Sequence, residues 1–220
     1  MRTSPQHIDV QSHLIELATI LERRFADLLL FCVTAVALGV LFLLTPTLGL
    51  VGWLYVLQHL MVLAIALTRS ESLMTDYSVS SNIAVGVAYV CPYAQVISLY
   101  WWPGKVAWPE VGLVLVTLSA VFSVVCLLTL GKRFGVRPAL RGLVTHGSYR
   151  VVRHPLYLSY VIAHIGFNLQ VWNVATLLLA LLGWAAMVCR IRAEERVLSR
   201  DPGWLAYVGF IRYRLVPGLW

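Results

Sequence analysis

The chain has 220 residues, of which 60% are hydrophobic and only 12% are charged, and its mean hydropathy is +0.79. This composition excludes a water-soluble globular protein and indicates an all-α, polytopic integral membrane protein. The formal net charge of +7 does not favour nucleic acid as a partner, because a basic excess on so apolar a chain is typical of loops that face anionic membrane lipids.

The first predicted element precedes the membrane spans. Leu14, Leu17, Leu21 and Phe25 recur at helical spacing, while charged residues take the other positions. This pattern predicts an amphipathic helix that lies in the membrane interface or extends the first span.

Four apolar runs follow, at residues 26–44, 48–67, 82–100 and 110–130. A bilayer core about 30 Å thick needs ~20 apolar residues per helix, so each run predicts one span. Gln58 and His59 lie inside the second run, where we expect helix-to-helix hydrogen bonds rather than contacts with a substrate.

The next apolar stretch, residues 156–189, is too long for one ordinary span and is interrupted at Gln170, Trp172 and Asn173. It predicts two short helices joined by a tight turn at the far membrane surface. His164 and Asn168 lie one turn apart in the first of these helices, and we interpret them in the same way as Gln58 and His59.

Cysteine usage indicates neither disulfides nor a metal site. All four cysteines fall inside apolar runs, and none forms a Cys-x-x-Cys pair. We therefore expect small, buried hydrophobic side chains at Cys32, Cys91, Cys126 and Cys189.

The distribution of basic residues orients the chain. With six spans and a cytoplasmic N-terminus, every Lys and Arg of the 17 in the chain except Lys105 falls on the cytoplasmic side, as the positive-inside rule requires. Both termini are then cytoplasmic, and tryptophans form an outer aromatic belt at Trp101, Trp102 and Trp108. We divide the chain into region 1–130, with the amphipathic helix and four spans, and region 131–220, with the helical hairpin and a cytoplasmic tail, where any chemistry is expected.

Two short motifs lie in the cytoplasmic part of the second region. Pro155 disfavours helix at His154 and suits the first turn of a helix, so the Arg-His-Pro step at residues 153–155 marks a helix start with free amide groups for an anion. Glu194 and Glu195 follow the hairpin, which returns them to the same membrane face. The alternatives are an ordinary juxtamembrane basic loop and a pair of solvated or arginine-paired surface carboxylates.

Together these motifs predict a pocket at the cytoplasmic edge of the bilayer. Cationic groups would hold a carboxylate or phosphate, and acidic groups would hold hydroxyls or a positive charge. S-adenosylmethionine has this pattern, and NADPH fits the basic half.

The ordered series "GLVTHGSYRVVRHPLYLS", "EERVL" and "YVGFIRYRLVP" resembles the isoprenylcysteine carboxyl methyltransferase family and its bacterial relatives, over roughly residues 131–217. The resemblance implies S-adenosylmethionine as cofactor, with Glu195 on its ribose. The implied cofactor-binding residues are Tyr149, Arg153, His154, Pro155, Tyr157, Glu194 and Glu195. The residues implied near the acceptor, and so the catalytic candidates, are Tyr207, Arg212 and Arg214.

Three positions depart from the family pattern. Ser148 stands where the family usually has Pro, Ser159 where it has Gly, and Phe210 where a second Tyr is common. Ser159 is small enough to keep a close helix approach, whereas Phe210 lacks a hydroxyl that would touch cofactor or substrate.

The resemblance implies methyl transfer to a lipophilic or prenylated acceptor, favoured at a carboxylate, in a bacterial inner membrane. A carboxylate is already ionised and needs no general base, whereas a thiol or amine would require one, with His154, Tyr157 and Tyr207 as candidates. The alternatives are a sterol-type reductase that binds NADPH and a non-catalytic scaffold of the same fold.

Overall fold

A computed structural model describes residues 34–36, 39, 53–54 and 56–220. The predicted amphipathic helix at 14–25 and Cys32 lie outside the described residues, as does most of the predicted span 26–44. The helices are α1 (Val56–Thr68), α2 (Val79–Trp101), α3 (Pro109–Leu130), α4 (Pro155–Gln170), α5 (Val174–Leu198) and α6 (Trp204–Phe210). Four two-residue strands are β1 (Met74–Thr75), β2 (Lys105–Val106), β3 (Ala139–Leu140) and β4 (Val171–Trp172).

Three helices in the described part of the chain are long and apolar enough to cross a membrane. They are α2, α5 and α3 together with its short 3-10 extension, Gly131–Arg133. The described part of α1 is apolar but shorter, and α4 has 16 residues. The chain is therefore mostly helical and fits an integral membrane protein, while the total of six spans stays a prediction.

The predicted helical hairpin is present as α4 and α5, with β4 and Asn173 between them. Asn173 caps the start of α5: its side-chain oxygen accepts a hydrogen bond from the Thr176 backbone amide, and the Thr176 hydroxyl oxygen accepts one from the Asn173 backbone amide, which together form a capping box. Contrary to the prediction, α5 is not short: it has 25 residues. It carries Glu194 and Glu195 on the same continuous helix as the apolar segment.

Two antiparallel strand pairs connect the hairpin turns at opposite ends of the helices. β2 pairs with β4, which joins the α2–α3 turn to the α4–α5 turn. β1 pairs with β3 at the other end, where Leu73 donates a backbone hydrogen bond to Leu140. The start of α4 and the end of α5 both lie at this second end, where the sequence predicted a pocket.

Small residues permit close packing of α3 against α4. A Cβ atom added at Gly112 would lie 2.4 Å from the Gly166 carbonyl oxygen, and one added at Gly166 would lie 2.9 Å from the Gly112 carbonyl oxygen. The two backbones are thus nearly in contact, and no larger residue fits at either position. Ser159, also on α4, is 1% exposed, and its hydroxyl donates to the Leu156 carbonyl within the same helix.

The polar residues inside the helices divide into two groups. Gln58 accepts a hydrogen bond from Ser123 of α3 at 2.8 Å, and His59 pairs with the Tyr93 hydroxyl of α2 at 2.7 Å, which confirms the predicted helix-to-helix hydrogen bonds. The same prediction for His164 and Asn168 is wrong. Asn168 donates to the backbone carbonyl of His164 within α4, and His164 Nδ1 has no hydrogen-bond partner among the described residues.

The cysteine prediction holds in part. Cys91 and Cys126 are buried, as expected. Cys189 is exposed, because its position on α5 faces away from the neighbouring helices. The tryptophans Trp101, Trp102 and Trp108 are all more than half exposed at the β2 end of α2 and α3, as an aromatic belt requires.

Candidate functional site

The start of α4 is covered by the last segment of the chain. His154 is the residue before the helix and has non-helical backbone angles, because Pro155 occupies the first helical position. The backbone amides of Arg153 and His154 donate at 2.9 Å to the carbonyls of Tyr213 and Arg214. These two amides, which precede the first residue of α4, therefore hold the C-terminal segment in place.

Glu195 is the centre of the site. Its Oε1 lies 2.8 Å from Arg153 Nη1 and 3.3 Å from His154 Nε2. Its Oε2 lies 2.8 Å from both Nε and Nη2 of Arg214. A carboxylate offers about four acceptor positions, so the three basic side chains occupy all of them. The start of α4, the end of α5 and the C-terminal segment therefore meet at the Glu195 carboxylate.

The three donors on Glu195 differ in their access to solvent. The side chains of Arg153 and His154 are 7% and 4% exposed, whereas that of Arg214 is 32% exposed. A ligand hydroxyl reaches Glu195 only by replacing one of these donors. Arg214 is the donor that exchanges at the lowest cost, because it alone regains hydration when it leaves.

Arg153 is a buried cation with one unused donor. Its Nη2 donates to the Arg212 carbonyl at 2.8 Å, while its Nε is buried without a hydrogen-bond partner among the described residues. Burial lowers the pKa of the Arg153 guanidinium, and the Glu195 carboxylate beside it opposes this change. The contact with Glu195 therefore keeps the buried guanidinium charged.

Glu194 lies on a neighbouring face of α5 and has different contacts. It accepts a hydrogen bond from the Tyr157 hydroxyl at 2.9 Å. The guanidinium of Arg190 stacks over the Tyr157 ring at 5.1 Å from its centroid and donates to the Val136 carbonyl at 3.0 Å. Glu194 and Tyr157 thus belong to a second cluster, which packs α5 against α4.

A hydrogen bond joins two buried tyrosines, Tyr149 and Tyr207. The Tyr207 hydroxyl donates to the Tyr149 carbonyl at 2.9 Å, and both side chains are buried. Burial raises the pKa of Tyr207 to about 12 and raises that of Tyr149 well above its usual range. Tyr207 therefore stays protonated at neutral pH, which disfavours the predicted alternative role of general base.

The remaining candidates face outward. The side chain of Arg212 is exposed, and its contribution to the site is the backbone carbonyl that Arg153 contacts. Phe210 is 85% exposed. Ser148 contacts Cys126 of α3 at 3.5 Å.

A cavity of about 700 Å³ opens beside Glu195, between α5, α6 and the C-terminal segment. Its lining residues are Arg153, Arg192, Glu195, Arg196, Ser199, Trp204, Val208 and Arg214. Sequence reasoning missed five of them, Arg192, Arg196, Ser199, Trp204 and Val208. The spacing of 192, 195, 196 and 199 was a usable signal, because residues three and four apart share one face of a helix.

Comparison with known proteins finds similarity to one protein family. The model of the isoprenylcysteine carboxyl methyltransferase family matches residues 111–200, from the start of α3 through the end of α5. Through this region the chain is similar to the isoprenylcysteine carboxyl methyltransferase family. The family match ends before α6 and the C-terminal segment, so the placement of Tyr207, Arg212 and Arg214 rests on the geometry.

Two relatives of this methyltransferase family from Arabidopsis thaliana have related sequences. Protein-S-isoprenylcysteine O-methyltransferase A is 28% identical over 107 residues, which cover 46% of this chain and 52% of the relative. Protein-S-isoprenylcysteine O-methyltransferase B is 25% identical over 149 residues, which cover 63% of this chain and 75% of the relative. The chain thus spans about half the length of the first of these relatives.

Proposed function

We propose that this chain is an integral membrane methyltransferase that uses S-adenosylmethionine to methylate the carboxylate of a lipophilic or prenylated acceptor. The proposal rests on the surroundings of Glu195, which is buried among three basic side chains at the edge of the cavity. The names of both relatives support the reaction class. Neither is a reductase, so the NADPH alternative receives no support.

The cavity residues fit S-adenosylmethionine by their chemistry. A volume of about 700 Å³ is within the usual range of roughly 300–1,000 Å³ for small-molecule sites. Glu195 matches a ribose diol or an ammonium group, and the Trp204 ring matches an adenine. S-adenosylmethionine would supply an electrophilic methyl group on its sulfonium.

The residues of the chain would then act by position and charge. A carboxylate acceptor is ionised at neutral pH, so no residue has to remove a proton. When a ligand hydroxyl takes the place of Arg214 on Glu195, the Arg214 guanidinium is released at the cavity wall and can orient an acceptor carboxylate. Effective molarities from such alignment supply roughly 7–11 kcal/mol of barrier lowering, so geometry is the main catalytic device.

The membrane setting supports a lipid-like acceptor. The cavity lies at the end of α5 where the apolar segment gives way to charged residues, so a polar cofactor would enter from water and an apolar chain from the bilayer. The side on which the basic residues gather supports a cytoplasmic cavity and cytoplasmic termini. Membrane lipids and the acceptor are the proposed partners, and the bacterial inner membrane remains the prediction made from the sequence.

Transfer of a labelled methyl group tests the proposal. Detergent-purified protein is incubated with S-adenosylmethionine labelled in its methyl group and an N-acetylated S-prenyl cysteine, with the carboxamide of the same compound as control. We expect label in the acceptor that alkali releases as methanol, because only an ester is hydrolysed in this way. Glu195→Ala and His154→Ala should abolish the transfer. Label that resists alkali, or equal labelling of the carboxamide, would contradict carboxylate methylation.

A further inference from the structure

The α5 wall of the cavity carries two arginines outside the network around Glu195. The side chains of Arg192 and Arg196 are exposed, and both line the cavity. Arg196 is 3.8 Å from Asp76 with 68% of its side chain exposed. No ion pair to Arg192 is found in the described part of the chain. These two guanidiniums therefore keep most of their charge available to a ligand.

The charge of the cavity favours an anion. Four arginines and one glutamate line it, so the wall has a formal excess of three positive charges. Arg153 and Arg214 share the single carboxylate, and the excess is therefore located mainly at Arg192 and Arg196. A concave wall of one sign concentrates ligands of the opposite sign. Trp204 and Val208 on α6 supply an apolar wall for the rest of such a ligand.

Helix geometry places this pair close to Glu195. Arg192 precedes Glu195 by three residues and Arg196 follows it directly, so both lie within about one turn, or roughly 5 Å along the axis. A ligand that places a hydroxyl or ammonium group at Glu195 therefore has a cationic subsite within reach of a carboxylate on the same molecule or on a second one. The planar guanidinium matches a carboxylate through two parallel hydrogen bonds.

We propose that Arg192 and Arg196 form a carboxylate-binding subsite on the α5 wall of the cavity. The inference rests on the proposed function, because the two carboxylates available in that reaction are those of S-adenosylmethionine and of the acceptor. The subsite adds residues that neither the Arg-His-Pro step nor the glutamate pair includes. It also gives the exposed face of α5 a binding role.

Calorimetry on the detergent-purified chain separates the two sources. The variants are Arg192→Gln and Arg196→Gln, singly and together. Arg200→Gln is the matched control, since Arg200 is an exposed arginine near the same helix end that lies outside this cavity. The probes are S-adenosylmethionine, its decarboxylated analogue, and an S-prenyl cysteine titrated with and without the cofactor.

If the cofactor carboxylate occupies the subsite, the double variant should bind S-adenosylmethionine about tenfold more weakly while its affinity for the decarboxylated analogue is unchanged. If the acceptor carboxylate occupies it, affinity for the S-prenyl cysteine should fall about tenfold with cofactor binding intact. Unchanged affinities, equal losses for both cofactor forms, or the same loss in Arg200→Gln would overturn the subsite alone. Wild-type protein that binds none of the probes would overturn the proposed function as well.

Discussion

Arg214 contacts Glu195 through two nitrogens, both 2.8 Å from the same carboxylate oxygen. This pair joins the C-terminal segment to the end of α5. The same segment accepts backbone hydrogen bonds from Arg153 and His154 at the start of α4. The C-terminal segment is therefore an integral part of the site, attached both by these backbone hydrogen bonds and by the Glu195 carboxylate.

Replacing Glu195 by Gln should lower stability strongly. The substitution keeps the shape of the side chain but leaves Arg153 buried without a counter-charge, and breaking a buried ion pair costs about 3 kcal/mol or more. We expect the midpoint of thermal unfolding in detergent to fall by roughly 6–12 °C. Glu194→Gln is the control, because Glu194 accepts a hydrogen bond from neutral Tyr157, and its midpoint should fall less. Equal midpoints for the two variants would show that Glu195 is not the electrostatic centre.

Replacing Arg214 by Gln should loosen the C-terminal segment locally. The two contacts with Glu195 are lost, as is the stacking of the guanidinium on the Trp220 ring at 5.3 Å. We expect faster hydrogen exchange at the amides of Arg153 and His154, which are protected by carbonyls of this segment. Arg212→Gln, which alters an exposed side chain, should leave the exchange of these amides unchanged. Protection that survives in the Arg214 variant would mean that the backbone contacts alone hold the segment.

Tyr207→Phe separates a supporting role from a role in proton transfer. The hydroxyl donates to the Tyr149 carbonyl, and its loss leaves that buried acceptor unpaired at a cost of about 1–3 kcal/mol. Because the pKa of Tyr207 is raised to about 12, we expect lower thermal stability with methyl transfer slowed by less than about tenfold. A loss of the reaction by about 10²-fold or more, in the range of general acid–base catalysis, with stability intact would instead identify Tyr207 as a catalytic residue.

Gly166→Ala tests the close packing of α3 on α4. The added Cβ would meet the Gly112 carbonyl and the Leu115 and Val116 side chains at 2.9 Å, so the helices must separate. We expect a loss of stability of about 1–3 kcal/mol, typical of overpacking. The matched control is Gly86→Ala in α2, where no atom of the described residues lies within 4 Å of the added Cβ. There the better helix propensity of Ala should leave stability unchanged or raise it. A tolerated Gly166→Ala would contradict the close approach.

The sequence identified the large features of the site because they depend on length and spacing. The apolar stretch interrupted at Asn173 is compatible only with a hairpin, and a hairpin must return Glu195 to the level of His154. The individual contacts could not be predicted in this way. Residue spacing cannot reveal that Arg214 and Arg153 take opposite oxygens of Glu195, because that depends on the path of the C-terminal segment across α4.

The wrong prediction for His164 and the missed arginines of the cavity have a related cause, because residue types and spacing do not determine tertiary surroundings. Polarity alone suggested that His164 bonds to another helix. Its ring instead lies beside Gly183 of α5, where an added Cβ would be 3.1 Å from the ring, and this placement depends on tertiary packing. The cationic face formed by Arg192 and Arg196 followed a helical spacing that was visible. It was missed because exposed arginines after an apolar run are typical of any cytoplasmic loop.

Binding of S-adenosylmethionine to the detergent-purified protein, measured by calorimetry with NADPH as competitor, tests the central claim most directly. The account predicts saturable binding that NADPH does not displace, and loss of this binding in both His154→Ala and Glu195→Ala while the variants remain monodisperse. Binding of NADPH in place of S-adenosylmethionine, or cofactor affinity unchanged in both variants, would contradict a cofactor site built around Glu195.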